Sequence, residues 1–410
     1  MRKISFILAV GMLLSLFSAP QLFASEIDIL VDKLVEKEIL TPVEAQIILD
    51  ETKQEVAKEI AEGKSYALPK WVQTMKLKGD LRLRYQWNKK KSSEERHRGR
   101  YRLRLGAEAK VVDNVKVGFG LATGGTDPRS TNQTMTNTFE TPDIRLDYAF
   151  AEYSATPWLT FYGGKFKRKP VLWQPSDLLW DSDINPEGGA ATINKGLSSN
   201  LDLFFNTGVF VLDESSSDTS DPMMYVVQPG LDWQIGDGIN LKTAFAYYGF
   251  SGVKGASLNH SEETNSLDGD NHLVYDYNTI NPSLELGIKN PVNGLVPYCA
   301  LFGDYIYNPD PSDDNKGYLL GLKFGDKKIK EKGQWQVKYM YRRLEKDAWL
   351  DTFPDSDFYG GKTGVKGHEA ILEYGLAKNV ILGFDYYYSE NISGSKKPEN
   401  ILQADLKLKF

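Results

Sequence analysis

The feature that most constrains the fold is an alternation of apolar and polar residues with a period of two, and it is clearest at the C-terminus. One set of residues there is apolar: Leu402, Ala404, Leu406, Leu408 and Phe410. The residues between them are polar or charged: Gln403, Asp405, Lys407 and Lys409. Successive side chains of a β-strand point to opposite faces, so this segment predicts a strand with one apolar and one charged surface.

The N-terminus predicts export. Met1–Lys3 is a short basic start, residues 4–19 are almost continuously apolar, and Leu22-Phe23-Ala24 precedes a cut that we place after Ala24. This arrangement is typical of a secretory signal peptide, and the apolar run is short for a membrane-spanning helix of about 20 residues. We therefore assign residues 1–24 to a cleaved signal peptide. No later apolar stretch is long enough for a transmembrane helix, but a closed barrel hides only alternate residues in lipid.

The composition excludes several classes of function. The chain carries 49 Lys and Arg against 55 Asp and Glu, so it is mildly acidic and does not suggest nucleic-acid binding. Cys299 is the single cysteine, so no internal disulfide can form, and the four histidines are too few and too scattered for a His-rich metal site. We expect no cofactor and no metal.

Residues 25–70 follow a different pattern from the rest of the chain. Apolar residues recur there at helical spacing, and Thr41-Pro42-Val43-Glu44 has the residue types of a capping box that opens a second helix. We predict an acidic, helical periplasmic segment with a linker. Its apolar stripe needs a partner, and the pattern leaves open whether the helices plug the barrel, tether it or associate with other copies.

Residues 71–410 repeat the alternation in 16 segments, of which the first is about 74–88 and the last 399–410. Short and long connections alternate between them, which is the asymmetry of an outer-membrane barrel. The apolar face is rich in Tyr, Trp and Phe, and we interpret the opposite face as consistently charged, which the core of a soluble sandwich would not tolerate. We predict an all-β membrane protein, a 16-stranded antiparallel transmembrane β-barrel with a short N-terminal α-helical periplasmic segment.

One long connection and two flanking features resemble a known family. The connection contains Asp177-Leu178-Leu179-Trp180-Asp181-Ser182-Asp183, followed by Asn185-Pro186-Glu187-Gly188, and the N-terminal segment contains Leu34 to Ala45. These motifs resemble the "putative porin" family of Gram-negative bacteria, and the terminal aromatic strand resembles the closing signature of outer-membrane barrels. The resemblance implies an outer-membrane porin, without naming a solute. The basic run Lys167-Arg168-Lys169 departs from the family pattern.

A basic strip lies on one wall of the predicted interior. Five arginines on the first two segments share a face: Arg82, Arg84, Arg100, Arg102 and Arg104. Side chains that are two residues apart in a strand point the same way, so their fields add. The strip is either an anion-attracting ladder or a solvated wall that is balanced by Asp80, Glu108 and acidic residues elsewhere, among them Asp405.

The connection 167–186 is a candidate constriction loop. In general porins the loop in this position folds inward, and seven charged residues would then face each other across a narrow opening: Lys167, Arg168, Lys169, Asp177, Asp181, Asp183 and Glu187. The alternative is an outer loop that lies over the rim. Phe410 is the candidate residue for barrel closure and for recognition by the barrel assembly machinery.

These features together predict a water-filled channel in the cell outer membrane for passive diffusion of small polar or ionic solutes. An anion- or phosphate-preferring channel is the alternative, and a structural or adhesive barrel is a third. The expected partners are outer-membrane lipid and lipopolysaccharide, with a possible homotrimer. We do not predict an enzyme, because His368 is the only histidine in a predicted strand and no catalytic partner for it is identifiable.

Overall fold

The computed structural model describes residues 31, 33–37, 39–61, 70–214, 216, 221–292 and 294–410. The described residues up to Gln73 form one compact unit, and Thr74–Phe410 form a second. The signal peptide predicted over 1–24 lies outside the described residues. In the described part of the chain, no helix is both long and apolar enough to cross a membrane.

The N-terminal unit is helical where it is described. Helix α1 spans Pro42–Ala61 and helix α2 spans Lys70–Gln73. The predicted capping box is present, because the Thr41 backbone N–H donates to Glu44 Oε2 at 2.9 Å and the Glu44 N–H donates to Thr41 Oγ1 at 3.3 Å. These reciprocal bonds satisfy backbone donors that the first helical turn leaves free.

The second unit is a sheet of 17 strands. In chain order they are β1 Lys76–Lys90, β2 Arg96–Val112, β3 Val115–Ala122, β4 Gln133–Thr134, β5 Arg145–Thr156, β6 Leu159–Lys165, β7 Glu187–Ser198, β8 Leu201–Val211, β9 Met223–Ile235, β10 Ile239–Ser251, β11 Thr279–Val292, β12 Val296–Tyr307, β13 Lys316–Gly325, β14 Trp335–Leu344, β15 Val365–Ala377, β16 Val380–Asn391 and β17 Glu399–Lys409. A four-residue helix α3, Arg168–Val171, lies between β6 and β7.

Sixteen of these strands form a closed antiparallel barrel, which confirms the predicted count. Each of the sixteen strands pairs with the next one in the chain, and β3 is followed by β5 because β4 is not part of the ring. Strand β1 pairs with β17 and closes the ring. The two-residue strand β4 pairs only with Arg100 and Tyr101 of β2 and belongs to a loop. A register shift between β3 and β5, at Gly120 and Leu121, interrupts the strict alternation of faces near residue 147.

The outer surface of the barrel is apolar, as the alternation predicted. On β13, Tyr318, Leu320, Leu322 and Phe324 are exposed, whereas Leu319 between them is 2% exposed and faces the interior. A soluble barrel would bury the larger apolar set, so this pattern is typical of a barrel whose outer face contacts lipid.

The interpretation that the inner face is charged all round was wrong. It is charged on β1, β2 and β14–β17, but on β8–β13 it carries buried apolar residues, among them Phe210, Met224, Tyr248, Phe302 and Leu319. Three long connections fold inward and pack on this apolar half: residues 166–186, 252–278 and 345–364. The loops therefore pack on the apolar wall, because this wall would otherwise be exposed to water in the lumen.

The seam of the barrel lies where the two ends of the sheet meet. The Phe410 N–H donates to the Gly79 carbonyl at 3.0 Å, and the Gly79 N–H donates to the Phe410 carbonyl at 2.7 Å. A Cβ atom on Gly79 would lie 2.5 Å from the Phe410 ring and 2.9 Å from the Arg104 carbonyl oxygen. Glycine at position 79 therefore lets the terminal ring lie directly on the first strand.

We predict that Gly79→Val impairs barrel closure, because overpacking of this kind costs about 1–3 kcal/mol and acts at the pairing of β1 with β17 that closes the ring. The matched control is Gly383→Val on β16, since a Cβ at that position comes no closer than 3.5 Å to another atom, which is an ordinary contact. The fraction of protein that shows heat-modifiable mobility on a gel should fall for Gly79→Val and for a chain that ends at Lys409. Equal folded fractions for both glycine variants would contradict the role of Phe410 in closure.

Candidate functional site: the barrel lumen

The predicted arginine strip is present on the inner face of β1 and β2. The strand register places Arg82 opposite Arg102, Arg84 opposite Arg100 and Asp80 opposite Arg104. Directly opposite residues in an antiparallel pair have Cβ atoms about 5 Å apart, so the strip is two side chains wide. Like charges this close repel each other unless other groups compensate them.

Most of the strip is neutralised by carboxylates, of which Asp80 and Asp405 belong to the solvated-wall alternative and Asp357 was not expected. Arg84 forms a bidentate pair with Asp405 on β17, at 2.7 and 2.8 Å, and a third bond to Asp357 at 2.9 Å. Arg102 and Arg104 share Asp80, at 2.7 and 2.8 Å. These contacts stabilise the lumen wall and remove most of its net positive charge.

In the described chain, two half-buried arginines of β2 lack such compensation, as does the exposed Arg96, and the sequence prediction named only one of the two. Arg100 donates to Gln86 Oε1 at 3.0 Å and Arg98 donates to Asn88 Oδ1 at 3.2 Å. Within the part of the chain that the structure describes, neither has a carboxylate oxygen within 4 Å, although Asp357 and Glu399 lie at longer range. Arg98 was missed because we began the second predicted strand at residue 99, although the same alternation extends to Arg96.

The candidate constriction loop 167–186 lies in the connection 166–186 between β6 and β7, and it crosses the lumen between β2 and β14. Its backbone is fixed to β9, because the Trp173 N–H donates to Gln228 Oε1 at 2.9 Å. Trp180 is 1% exposed and packs against Phe353, with ring centroids 4.8 Å apart. The loop is therefore an integral part of the lumen rather than a flap over the rim.

The charged residues predicted for this loop fall into separate environments. Asp177 pairs with Arg342 on β14 at 2.9 Å, and Asp183 pairs with Arg104 on β2 at 3.2 Å, so the loop reaches both walls. Glu187 pairs with Lys165 at 2.6 Å on the ends of β6 and β7. The remaining members are also dispersed: Lys167 lies 3.8 Å from Glu108, Arg168 is buried beside Trp180, and Lys169 is exposed. That these groups narrow a conducting path stays a prediction.

Asp181 joins the constriction loop to the loop 345–364. Its Oδ2 accepts the Ser356 N–H at 2.8 Å, its own N–H donates to the Phe353 carbonyl at 2.6 Å, and its Oδ1 accepts the Asp183 N–H at 2.9 Å. Burial, followed by the nearby charge of Asp183, raises the pKa of Asp181 to about 7. The two loops are therefore held together by a carboxylate that titrates near neutrality.

The loop 345–364 is the part of the site that the sequence prediction missed. It inserts Trp349 and Phe353 into the apolar core and brings Asp357 to Arg84. Burial disfavours ionisation of Asp357, but the charges of Arg84, Arg82 and Arg100 outweigh it and lower the pKa to about 2. The signal in the sequence is the unusual aromatic content of this connection: Trp349, Phe353, Phe358 and Tyr359.

Three carboxylates, Asp177, Asp355 and Glu369, lie close enough together to suggest a metal site. However, Nη2 of Arg342 lies among them, at 2.9, 3.3 and 2.7 Å respectively. The guanidinium already occupies the place of a cation and satisfies the carboxylates with charge-assisted hydrogen bonds. The geometry fits an internal ion-pair network better than a metal centre.

The histidine that we considered for catalysis lies on the outer face of the barrel. Nδ1 of His368 is 2.7 Å from the Tyr339 hydroxyl, and its ring contacts Tyr341 and Tyr388. His97, which the structure places in β2, makes the same kind of contact with Tyr85. These are aromatic contacts of the outer surface, and among the described residues no Ser or carboxylate pairs with His368.

The architecture defines a class of protein, a membrane-spanning β-barrel channel with loops folded into its lumen. The sequence profile of the family described as "Putative porin" matches residues 87–285 and 271–410, so the chain belongs to the putative porin family. Porins are outer-membrane channels for passive diffusion of small solutes, and family and fold point to a channel rather than an enzyme. No curated protein matches the chain.

Solved porin structures resemble the barrel. OprB of Pseudomonas putida matches with a TM-score of 0.54 and 10% identity, over 83% of this chain and 95% of that one. DcaP of Acinetobacter baumannii matches with a TM-score of 0.47 and 13% identity, over 82% and 97%. A Rhodopseudomonas blastica porin variant matches with a TM-score of 0.45 and 11% identity, over 82% and 100%. At this identity, the OprB likeness shows the fold alone.

We predict that Asp181→Ala loosens the contact between the two lumen loops, because it leaves the half-buried N–H of Ser356 without its acceptor, at a cost of about 1 kcal/mol. The exposed neighbour Ser182 supplies the matched control, Ser182→Ala. Faster proteolysis of the loop 345–364 in the first variant, and an unchanged rate in the control, is the expected result.

The same contact should depend on pH. Since the native pKa of Asp181 lies above the ordinary value of 3.8, this group makes the fold more stable as pH falls from about 7 towards 3.8. Burial opposes ionisation of Asp183 and Asp357, but nearby arginines outweigh it and lower their pKa values, so these two groups make the fold less stable as pH falls. To isolate the effect of Asp181, the measurement compares wild type with Asp181→Asn. The gain in thermal stability between about pH 8.5 and about pH 5 should be larger in wild type, and identical gains would exclude Asp181 as the titrating group.

Proposed function

We propose that this porin passes small polar and ionic solutes along the β2 side of its lumen, with a preference for anions. The observation that carries the proposal is the unequal exposure of the arginine strip. Arg98 and Arg100 are half-buried and have no carboxylate oxygen of a described residue within 4 Å, whereas Arg84 on β1 is 4% exposed and fully paired. Charge that reaches solvent and lacks a fixed counterion attracts anionic solutes, and lumen residues of this kind set selectivity.

The end of the barrel with the short turns supports the same preference. Lys76, Lys78 and Lys110 are exposed on the inner face of β1 and β2. Glu108 compensates one of them, because its Oε1 accepts Lys78 Nζ at 2.6 Å. The excess of lysine charge therefore extends the positively charged surface from the arginines to the short-turn end of the lumen.

We infer that the chain reaches the outer membrane through the cleaved signal peptide 1–24 and the barrel assembly machinery, which would read the terminal strand that ends in Phe410. The even number of barrel strands puts both ends of the barrel on one side. With the short turns in the periplasm, the N-terminal helices would remain there, and the long loops would face lipopolysaccharide.

We further propose that copies associate through the wall of β3, β5, β6 and β7. Strands β3 and β6 have only eight and seven residues. At about 3.3 Å per residue and a tilt of about 40°, eight residues cover about 20 Å, less than the apolar band of about 25 Å that lipid requires.

The outer face of this wall also differs in side-chain size. It carries a group of small residues: Ala149, Ala151, Gly163, Gly189 and Ala191. Small side chains let a second protein surface approach closely in a membrane. Beside this wall, Phe139 is 97% exposed on the loop before β5, so a large apolar side chain is available to a neighbouring copy. A homotrimer is the assembly we propose.

The anion preference predicts the effect of removing the two uncompensated arginines. The double substitution Arg98→Ala and Arg100→Ala should shift the reversal potential in a salt gradient towards cations, with a several-fold lower anion-to-cation permeability ratio. Arg343→Ala is the matched control, since this arginine faces outward and pairs with Glu345. Planar-bilayer recordings in a salt gradient, on folded protein, measure the reversal potential of the double variant and of the control.

An unchanged reversal potential in the double variant would mean that the wall is charged but not selective, and the channel would then be a general diffusion pore. Folded wild-type protein that shows no conductance would refute the diffusion channel and favour a structural role for the barrel.

The association surface predicts that Ala151→Trp reduces the oligomer to monomer, because a bulky ring would prevent close approach of the two walls. Leu301→Trp, at an exposed position on β12 away from this wall, is the matched control. Light scattering after detergent extraction measures the mass. A variant that retains the wild-type mass would place the interface elsewhere.

A further inference from the structure

One connection at the short-turn end of the barrel differs from all the others at that end. It joins β13 to β14 and has nine residues, 326–334, whereas the six other connections there have two or three. Its sequence is Asp-Lys-Lys-Ile-Lys-Glu-Lys-Gly-Gln, with four lysines in six positions. A two-residue turn is enough to join adjacent antiparallel strands, so the additional residues of this connection are not required to link β13 to β14.

This connection is folded rather than loose. Gln334 Oε1 accepts the backbone N–H groups of Lys330 and Glu331 at 2.7 and 2.9 Å. The Gly333 N–H donates to the Gly375 carbonyl at 2.9 Å, and the Asn379 N–H donates to the Lys330 carbonyl at 2.9 Å. The turn is therefore bonded to the neighbouring connection between β15 and β16.

A cavity of about 250 Å³ lies between this turn and the ends of β14–β17. Four lysines line it: Lys327, Lys328, Lys330 and Lys409. Over the residues that the structure describes, none of the four has a carboxylate oxygen within 4 Å. The acidic residue of the lining, Glu373, is already paired with Lys407 at 2.8 Å. The cavity thus concentrates positive charge that has no fixed counterion.

The base of the cavity is apolar and rigid. Ile329 on the turn is 6% exposed and Ile381 on β16 is 2% exposed. Gln336 holds the turn in place, because its side-chain Nε2 donates to the Asp326 carbonyl at 2.6 Å and the Lys327 carbonyl at 3.2 Å. An apolar base under a rim of ammonium groups suits a small solute with an anionic head and an apolar body, and lysine is a compact charge that suits phosphate.

We propose that this cavity is a binding site for small organic anions, with phosphate monoesters as the best-fitting class. It would hold anions at the short-turn mouth of the lumen. The inference deepens the proposed function, on which its role in transport rests, but binding at the cavity does not require conduction.

Calorimetric titration of the folded, detergent-solubilised full-length mature protein tests the site with two probes, inorganic phosphate and phenyl phosphate. Both should bind wild type, and phenyl phosphate should bind more tightly because its ring can lie over the apolar base of the cavity. The triple variant Lys327→Ala, Lys328→Ala, Lys330→Ala should raise the Kd of both probes at least about tenfold. Lys332→Ala, on the same turn but outside the lining, is the matched control and should leave both Kd values unchanged.

The outcomes separate the site from the channel. If wild type binds neither probe, or if the triple variant binds both as wild type does, the site is refuted, whatever the conductance shows. Binding that depends on the lysines in protein that does not conduct would refute the proposed channel and keep the site. If the triple variant fails to fold by heat-modifiable mobility, Lys328→Gln and Lys409→Gln replace it, and each should weaken both probes while Lys378→Gln on the adjacent turn does not.

Discussion

The pairing of β1 with β17 is the constraint on which the rest of the barrel depends. Within a hydrocarbon layer a strand edge cannot satisfy its N–H and C=O groups with water, so the sheet must have no edge. Eleven residue pairs join the two strands, from Asp80–Lys409 to Lys90–Glu399. The same pairing carries the Arg84–Asp405 ion pair on the inner face. The same strand pair therefore closes the barrel and neutralises one of the arginines in the lumen.

Closure alone would leave a wide, water-filled cylinder, and this chain fills much of it with its own loops. The apolar inner wall of β8–β13 is unfavourable in water, and burial of Trp180, Trp349 and Phe353 against it removes that cost. Hydrogen bonds through Asp181 then fix the two loops to each other. The lumen consequently has two chemically distinct sides, one occupied by protein and one that presents charge.

Much of the architecture could be predicted from the sequence because it depends on local patterns. The period of two predicted 16 strands, and the Thr41–Glu44 capping box predicted the start of α1, since both depend on residues close in the chain. The arginine strip could be placed because β1 and β2 are adjacent. Its compensation by Asp357 could not, since this residue lies 273 positions from Arg84, in a loop whose path depends on the folded lumen.

The sequence by itself determined that this chain is a membrane barrel with a basic strip on one wall, because alternation along each strand decides which side chains face lipid. Only the tertiary structure decided which charges remain uncompensated and which loops enter the lumen. These outcomes depend on contacts between distant segments, such as Asp357 with Arg84 and Asp183 with Arg104, and on whether an apolar inner wall is available to a loop. These residues are far apart in the chain, so they meet only when the barrel has closed and the loops have packed inside it.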